Sequence, residues 1–236
     1  MRVLGIDTAT KTASVCLLDD KGIVGEHTLH VEQVHSKKIM PMIERMLKDV
    51  GVAVSDIDAI AVSSGPGSFT GLRIGMSTAK GLAYTLKIPI VGVSTLESLA
   101  FNAVPTQKLV CPILDARMKE VYSSLYRWEN TELIKLKEEK ALSLENLLSG
   151  LQDYQEPFLF VGEGAVRFFE DIQNSSLKKT ELAPMHTNIN RASSTAILGR
   201  DRISAGKADQ LMALQPSYLR RSQAEVAREK KGNPNE

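Results

Sequence analysis

VLGIDTATKTASVCLL, residues 3–18, has a near repeat in VCPILDARMKEVYSSL, residues 110–125. In each copy an apolar run closes on an aspartate, Asp7 or Asp115, a short polar turn follows, and a second apolar run leads away. Short apolar runs on either side of a polar turn read as a β-hairpin. The same hairpin used twice, 108 residues apart, predicts a duplicated fold.

Outward from the first copy, strands are expected at 3–6, 13–18 and 23–29, the last two joined by the turn Asp19-Asp20-Lys21-Gly22. Ile39, Ile43, Met46, Leu47 and Val50 fall at i, i+4, i+7, i+8 and i+11, which predicts an amphipathic helix ending at Gly51, with Pro41 tolerable only near its first turn. A buried strand at 57–62, a loop at 63–71, a helix at 72–86 and a strand at 88–93 complete a unit whose last strands pair in parallel. The second copy opens a similar series: strands at 109–114, 121–128 and 133–136, a helix marked by Leu144, Leu147, Leu148 and Leu151 and capped by Ser143, a strand at 158–161, and helices at 164–172 and 193–205. The expectation is an α/β protein of two βββαβαβα domains, 1–103 and 104–222, joined at NAVPTQ (102–107), with a polar, disordered tail at 223–236.

Composition agrees with a globular chain. Of 236 residues, 43% are hydrophobic and 24% charged, which excludes disordered and collagen-like classes. Lys plus Arg is 29 against 28 for Asp plus Glu, so no basic excess exists to condense on nucleic acid or an anionic membrane. The balance holds locally too, with ten of each sign in residues 1–103. No stretch approaches the ~20 apolar residues of a membrane span, and a cytoplasmic protein is expected. Cys16 and Cys111 sit in apolar runs without metal-type spacing and read as two buried, reduced thiols, a mutual disulfide being the alternative.

The candidate chemistry lies in the turns. Asp7 with Thr8, Thr10, Lys11, Thr12 and Ser14 is suited to hold a phosphate or its hydrated cation, or else only satisfies the turn's own backbone. Asp115 has no hydroxyl beside it in DARMKE. In SSGPGSFTGLRIGMSTAKG (63–81), Gly65, Gly67 and Gly71 permit close backbone approach, and Ser68 or Thr70 can cap the next helix. The run is not a P-loop, because the Gly-Lys-Ser/Thr ending is missing. Gly71, Gly75, Ala79 and Ala83 make one smooth helix face, for the chain's own sheet or for a partner. His27, His30 and His35 do not share a face and predict no metal site, and neither a Gly-x-Ser-x-Gly elbow nor a Cys–His signature supports a nucleophile.

Taken together, GIDTATKTASVCLL, SSGPGSFTGLRIGMSTAKGLAY, IVGVSTLESLAF, PILDARMKEVY and QPSYLRR resemble the bacterial TsaB (YeaZ) family over about residues 1–221. The resemblance implies the duplicated fold of actin, sugar kinases and Hsp70, and a place in the machinery that puts threonylcarbamoyl on the adenosine beside the anticodon of tRNAs reading ANN codons. It implies a non-catalytic partner of the paralogous transferase TsaD (Kae1), which recruits the ATPase TsaE, pairs also with itself, and meets tRNA only within the complex. In TsaD-like proteins two histidines bind a metal in the run that matches Val93–Leu99; here Thr95 and Leu99 stand there, and neither offers an imidazole. The resemblance thus implies no catalytic residue and no metal. ATP is used by the complex, and weak binding of it between the domains is left open, Asp7, Thr8, Thr10 and Asp115 being a vestigial phosphate site. The partner face is expected on two helices, at Met40, Met42, Ile43, Met46, Gly71, Arg73, Gly75, Met76 and Ala79. Gly75→Arg is accordingly expected to leave a folded monomer. The runner-up is a small-molecule kinase or ATPase of the same fold, with a peptidase a distant third.

Overall fold

The computed structural model describes residues 1–30 and 35–220; the tail expected at 223–236 lies outside them. The first half runs β1 (Val3–Asp7), β2 (Thr12–Asp19), β3 (Gly22–His30), α1 (His35–Val50), β4 (Ala59–Gly65), α2 (Phe69–Leu86), β5 (Ile90–Ser94) and α3 (Thr95–Phe101). The second runs β6 (Leu109–Arg117), β7 (Glu120–Glu129), β8 (Glu132–Ser143), α4 (Leu144–Ser149), β9 (Phe158–Val161), α5 (Glu163–Arg167), α6 (Phe169–Gln173), β10 (Thr180–Leu182) and α7 (Ala192–Ser204). Sheet orders β3-β2-β1-β4-β5 and β8-β7-β6-β9-β10 correspond strand for strand. In both, the hairpin strands are antiparallel and the strands reached through helices are parallel. The duplication inferred from two hairpins extends through both five-stranded sheets.

Alternation along β1 sets the layers. Leu4 and Ile6 join a core with Val15, Ile60 and the inner faces of α1 and α2, while Val3 on the opposite face joins Ala61, Val91, Ala192 and Ala196. That second face is covered by α7, whose chain has crossed back from the second half. Conversely α3 leaves the first half to pack Leu96, Leu99 and Ala100 on Val110, Leu114, Tyr126 and Val161 of the second sheet. Across the boundary expected at 103/104, each half thus lends a helix to the other's sheet. Small residues make the return of α7 possible, since a Cβ on Gly5 would sit 2.4 Å from the Ala192 carbonyl oxygen. Smaller differences have local causes. Helix α1 begins early enough to leave Pro41 inside it, the helix expected at 164–172 breaks at Phe168, and the short edge strand β10 carries too few residues to show a period. Both cysteines are buried free thiols, and burial pushes each thiol up to about 12. Among the described residues no helix is long and apolar enough to cross a membrane.

The residues expected on the partner face divide between the core and the surface. Met42, Ile43 and Met46 of α1, and Met76 and Ala79 of α2, are buried in the first half's own core, and Gly71 and Gly75 are buried with them. Of that set only Met40 and Arg73 are exposed. The apolar arc of α1 is wide because it covers β2 and β3 and also meets α2. Helix α2 turns a different row outward: Arg73, Ser77, Gly81 and Tyr84. A Cβ at Gly75 would lie 2.3 Å from Thr8 Oγ1, whereas one at Gly81 meets nothing within 4 Å. Gly75→Ala is expected to lower unfolding free energy by about 1–3 kcal/mol through overpacking. Gly81→Ala should raise it by about 0.5–1 kcal/mol through helix propensity. Urea unfolding of the two variants checks both; equal effects would contradict this orientation of α2.

Candidate functional site

Asp7 ends β1 on the face that looks toward α7, and none of it reaches solvent. Its Oδ1 accepts a hydrogen bond from the Ala9 amide at 3.0 Å. In the second copy Asp115 Oδ1 accepts from the Arg117 amide at 2.8 Å, so the repeat extends to one hydrogen bond in the turn. Beyond that the aspartates differ. Asp115 is partly exposed and ion-paired with Arg167. Asp7 Oδ2 has no hydrogen-bond partner among the described residues. Burial pushes the Asp7 carboxyl up to about 6; the Ala9 amide and the nearby polar groups of Ser63, Asn190 and Thr195 favour the ionised form without offsetting desolvation.

The hydroxyls expected to hold a phosphate are turned to the chain's own backbone. Thr8 Oγ1 donates to the Gly71 carbonyl at 2.7 Å, and Thr10 Oγ1 accepts from the Thr12 amide at 3.2 Å. The Ser68 amide donates to the Ala9 carbonyl at 2.6 Å. Ser68 also caps α2, accepting from the Gly71 amide at 3.2 Å, so the cap is Ser68 and Thr70 is left exposed. The glycines permit this docking: a Cβ on Gly67 would lie 2.3 Å from the Ala9 carbonyl oxygen, and one on Gly71 would lie 2.1 Å from that of Thr8. Gly65, with φ +113°, similarly receives the Ser217 carbonyl oxygen. The structure thus brings Asp7, Thr8, Thr10, Gly67, Ser68 and Gly71 together at the start of α2, as a packed joint.

Across from Asp7, the seam between the halves is polar and closed. Thr95 and Leu99 are both fully buried. Leu99 packs against Gly162, and the Thr95 carbonyl accepts from Asn190 Nδ2 at 3.3 Å, while Thr95 Oγ1 is unpartnered among the described residues. Ser98 and Thr195 bond hydroxyl to hydroxyl at 3.1 Å, and Ser194 Oγ donates to Asn102 Oδ1 at 2.6 Å. Glu26 of β3 holds Arg191 and the Ser193 amide at the start of α7. At the start of α5, Glu163 has its carboxyl raised by burial and by the Asp115 charge, against opposing effects of Lys11, His30 and Arg167. Sequence reasoning missed Ser63, Asn190 and Thr195. The polar run NINRASST, residues 188–195, which leads into the first turn of α7, was the available signal for the last two. His27 stands by Asp49 and His30 by Thr12, and the described residues contain no group of three or more His, Cys, Asp or Glu able to hold a metal. Two surface hollows, about 470 Å³ between β8 and α4 and about 590 Å³ at the end of α2, lie away from Asp7.

Duplicated sheets with exchanged helices define an actin-like α/β protein, and a hexokinase of the ROK type from Thermus thermophilus shares the fold, with a TM-score of 0.50 at 10% identity over 86% of this chain and all of that one. YeaZ from Pseudomonas aeruginosa is far more similar, with a TM-score of 0.79 and 28% identity over 92% of this chain and 99% of that one. In sequence, the family model described as TsaD, tRNA N6-adenosine threonylcarbamoyltransferase, matches residues 16–228. The tRNA threonylcarbamoyladenosine biosynthesis protein TsaB of Bacillus subtilis is 34% identical over 226 residues, 96% of this chain and 97% of its own. Its Escherichia coli counterpart is 38% identical over 70% of this chain and 72% of its own. The chain belongs to the TsaB family of tRNA threonylcarbamoyladenosine biosynthesis proteins, within the wider group matched by the TsaD model.

The buried carboxylate has a testable signature. Its folded-state value of about 6 exceeds the ordinary 3.8, so between those pH values the native state holds the proton more tightly than the unfolded chain. The native state is penalised as pH rises through that window, by about 3 kcal/mol once Asp7 is ionised in both states. Asp7→Asn should therefore gain stability relative to the parent between pH 4 and pH 8, measured by urea unfolding at both. Parallel pH profiles for the two proteins would contradict the buried, desolvated carboxylate.

Proposed function

We propose that this chain is a non-catalytic subunit of the tRNA threonylcarbamoyladenosine complex, pairing with a TsaD homologue that carries the chemistry and bringing a TsaE-type ATPase to it. The observation that supports this most is the filling of the seam. The positions that the family resemblance equates with two metal-binding histidines carry Thr95 and Leu99, both buried, and Leu99 is part of an apolar core. An aliphatic side chain supplies no ligand, and a lone hydroxyl does not hold a transition metal against water. The kinase reading is weakened by the same kind of observation, because the Thr8 hydroxyl is bonded to Gly71. On this reading the chain's contribution is shape. The outward row of α2 at Ser77, Gly81 and Tyr84 offers small residues next to an exposed aromatic ring, and Met40 of the adjoining α1 is exposed as well. A second helix can approach such a row closely.

Reconstitution tests the proposal. With a TsaD homologue, a TsaE homologue, ATP and unmodified tRNA, threonylcarbamoyladenosine should form only when this chain is present, and the chain without the TsaD homologue should form none. Gly81→Arg should unfold no earlier than the parent, since arginine is a better helix former than glycine, and lose at least tenfold in affinity for the TsaD homologue, by sedimentation. Modification by this chain alone would overturn the non-catalytic reading. Unchanged affinity of the variant would move the interface elsewhere.

A further inference from the structure

The last described segment, residues 206–220, straps the molecule. Asp209 meets β5, where its carboxylate accepts from the Gly92 amide at 2.8 Å, and the Ser217 amide donates to the Ser64 carbonyl at 2.6 Å. Tyr218 lies on Phe69 with ring centroids 4.5 Å apart, and its hydroxyl accepts from Arg73 Nε at 3.1 Å. The Arg73 guanidinium sits 3.8 Å above the Phe69 ring. Two residues later Arg220 reaches the second half, where Nη1 donates to the Ala116 carbonyl at 2.8 Å and pairs with Glu120 at 3.3 Å. The start of α2, the strap and the turn between β6 and β7 therefore form one continuous surface.

That surface is locally basic although the chain is not. Arg73, Arg117 and Lys119 are exposed, and none of their side chains forms an ion pair with a carboxylate of the described residues: Asp115 pairs with Arg167 and Glu120 with Arg220. Tyr218 is 40% exposed. The turn itself adds a second observation. Arg117, Met118 and Lys119 all have left-handed backbone, with φ of 63°, 51° and 65°. Glycine or asparagine meets that geometry at lower cost, so two long cations there are not explained by folding. Exposed cations with no ion-pair partner among the described residues, set around an aromatic ring and a stacked guanidinium, fit RNA: phosphates for the cations, an unstacked base for the ring.

Resting on the complex proposed above, we infer that the surface formed by Arg73, Tyr218, Arg117 and Lys119 contacts a single-stranded segment of the substrate tRNA within the assembled complex. Few phosphates are met, so the isolated chain binds tRNA weakly and the partner supplies the remaining contacts.

The test uses the complex with a TsaD homologue and unmodified tRNA, titrated at several salt concentrations. Arg117→Gly combined with Lys119→Gly removes both charges and relieves the backbone. The account expects a higher unfolding temperature, unchanged assembly with the partner, about tenfold weaker tRNA binding, and a log–log salt slope shallower by about 1.5. Tyr218→Ala should weaken binding by about tenfold and Tyr218→Phe should restore it. Unaltered affinity and slope in the double variant would overturn the inference. Loss of partner assembly in place of tRNA affinity would also overturn it and make this a protein interface. If the parent complex assembles and modifies tRNA while the double variant does so equally well, the inference fails and the proposed function stands; if the parent complex fails to assemble, both fail.

Discussion

The docking of the first hairpin turn onto the start of α2 is the contact on which the rest of the structure depends. Three carbonyl or hydroxyl oxygens, from Thr8 and Ala9, occupy space that any side chain at Gly67, Gly71 or Gly75 would fill. Because the turn is held by Thr8 Oγ1 to Gly71 and by Ser68 to Ala9, its hydroxyls are turned inward. The same residue types in the same order could have surrounded a phosphate. Here they join a sheet to a helix, and α2 is thereby oriented so that Ser77, Gly81 and Tyr84 face outward.

The exchange of α3 and α7 follows the same logic at larger scale. Each sheet has one face covered by its own helices and one covered by a helix from the other half, so neither half completes its core alone. The polar side chains caught between them, Ser63, Thr95, Ser98, Asn190 and Thr195, are mostly bonded to one another or to backbone, and the Asp7 carboxyl among them has its ionisation disfavoured by burial.

Much of this was legible in the sequence. The duplicated hairpin is written in residues 3–18 and 110–125 because alternation and turn chemistry are local, and the amphipathic period of α1 was equally plain. What was not legible concerns destinations. Periodicity marks Gly71, Gly75, Ala79 and Ala83 as a smooth face without saying which neighbour it meets; that depends on Thr8, more than sixty residues earlier in the chain. The same limit hid the crossing of α7, whose small residues fit either sheet. Helix α3 is implied by the expected βββαβαβα order but received no residues, although Ser94 and Glu97 have the spacing of a capping box, because its seven residues are too few to show a period. Thr95 and Leu99 were singled out by resemblance alone; their burial follows from the packing of α3 on the second sheet, which no local pattern displays.

The central claim is that the turn after Asp7 is a structural joint and not a nucleotide site. Hydrogen–deuterium exchange of the chain, alone and with millimolar ATP and magnesium, tests it most directly. The account predicts slow exchange of the amides from Thr8 to Thr12 and across α3, unaltered by the nucleotide. Fast exchange in that turn, becoming slow when ATP is added, would contradict it.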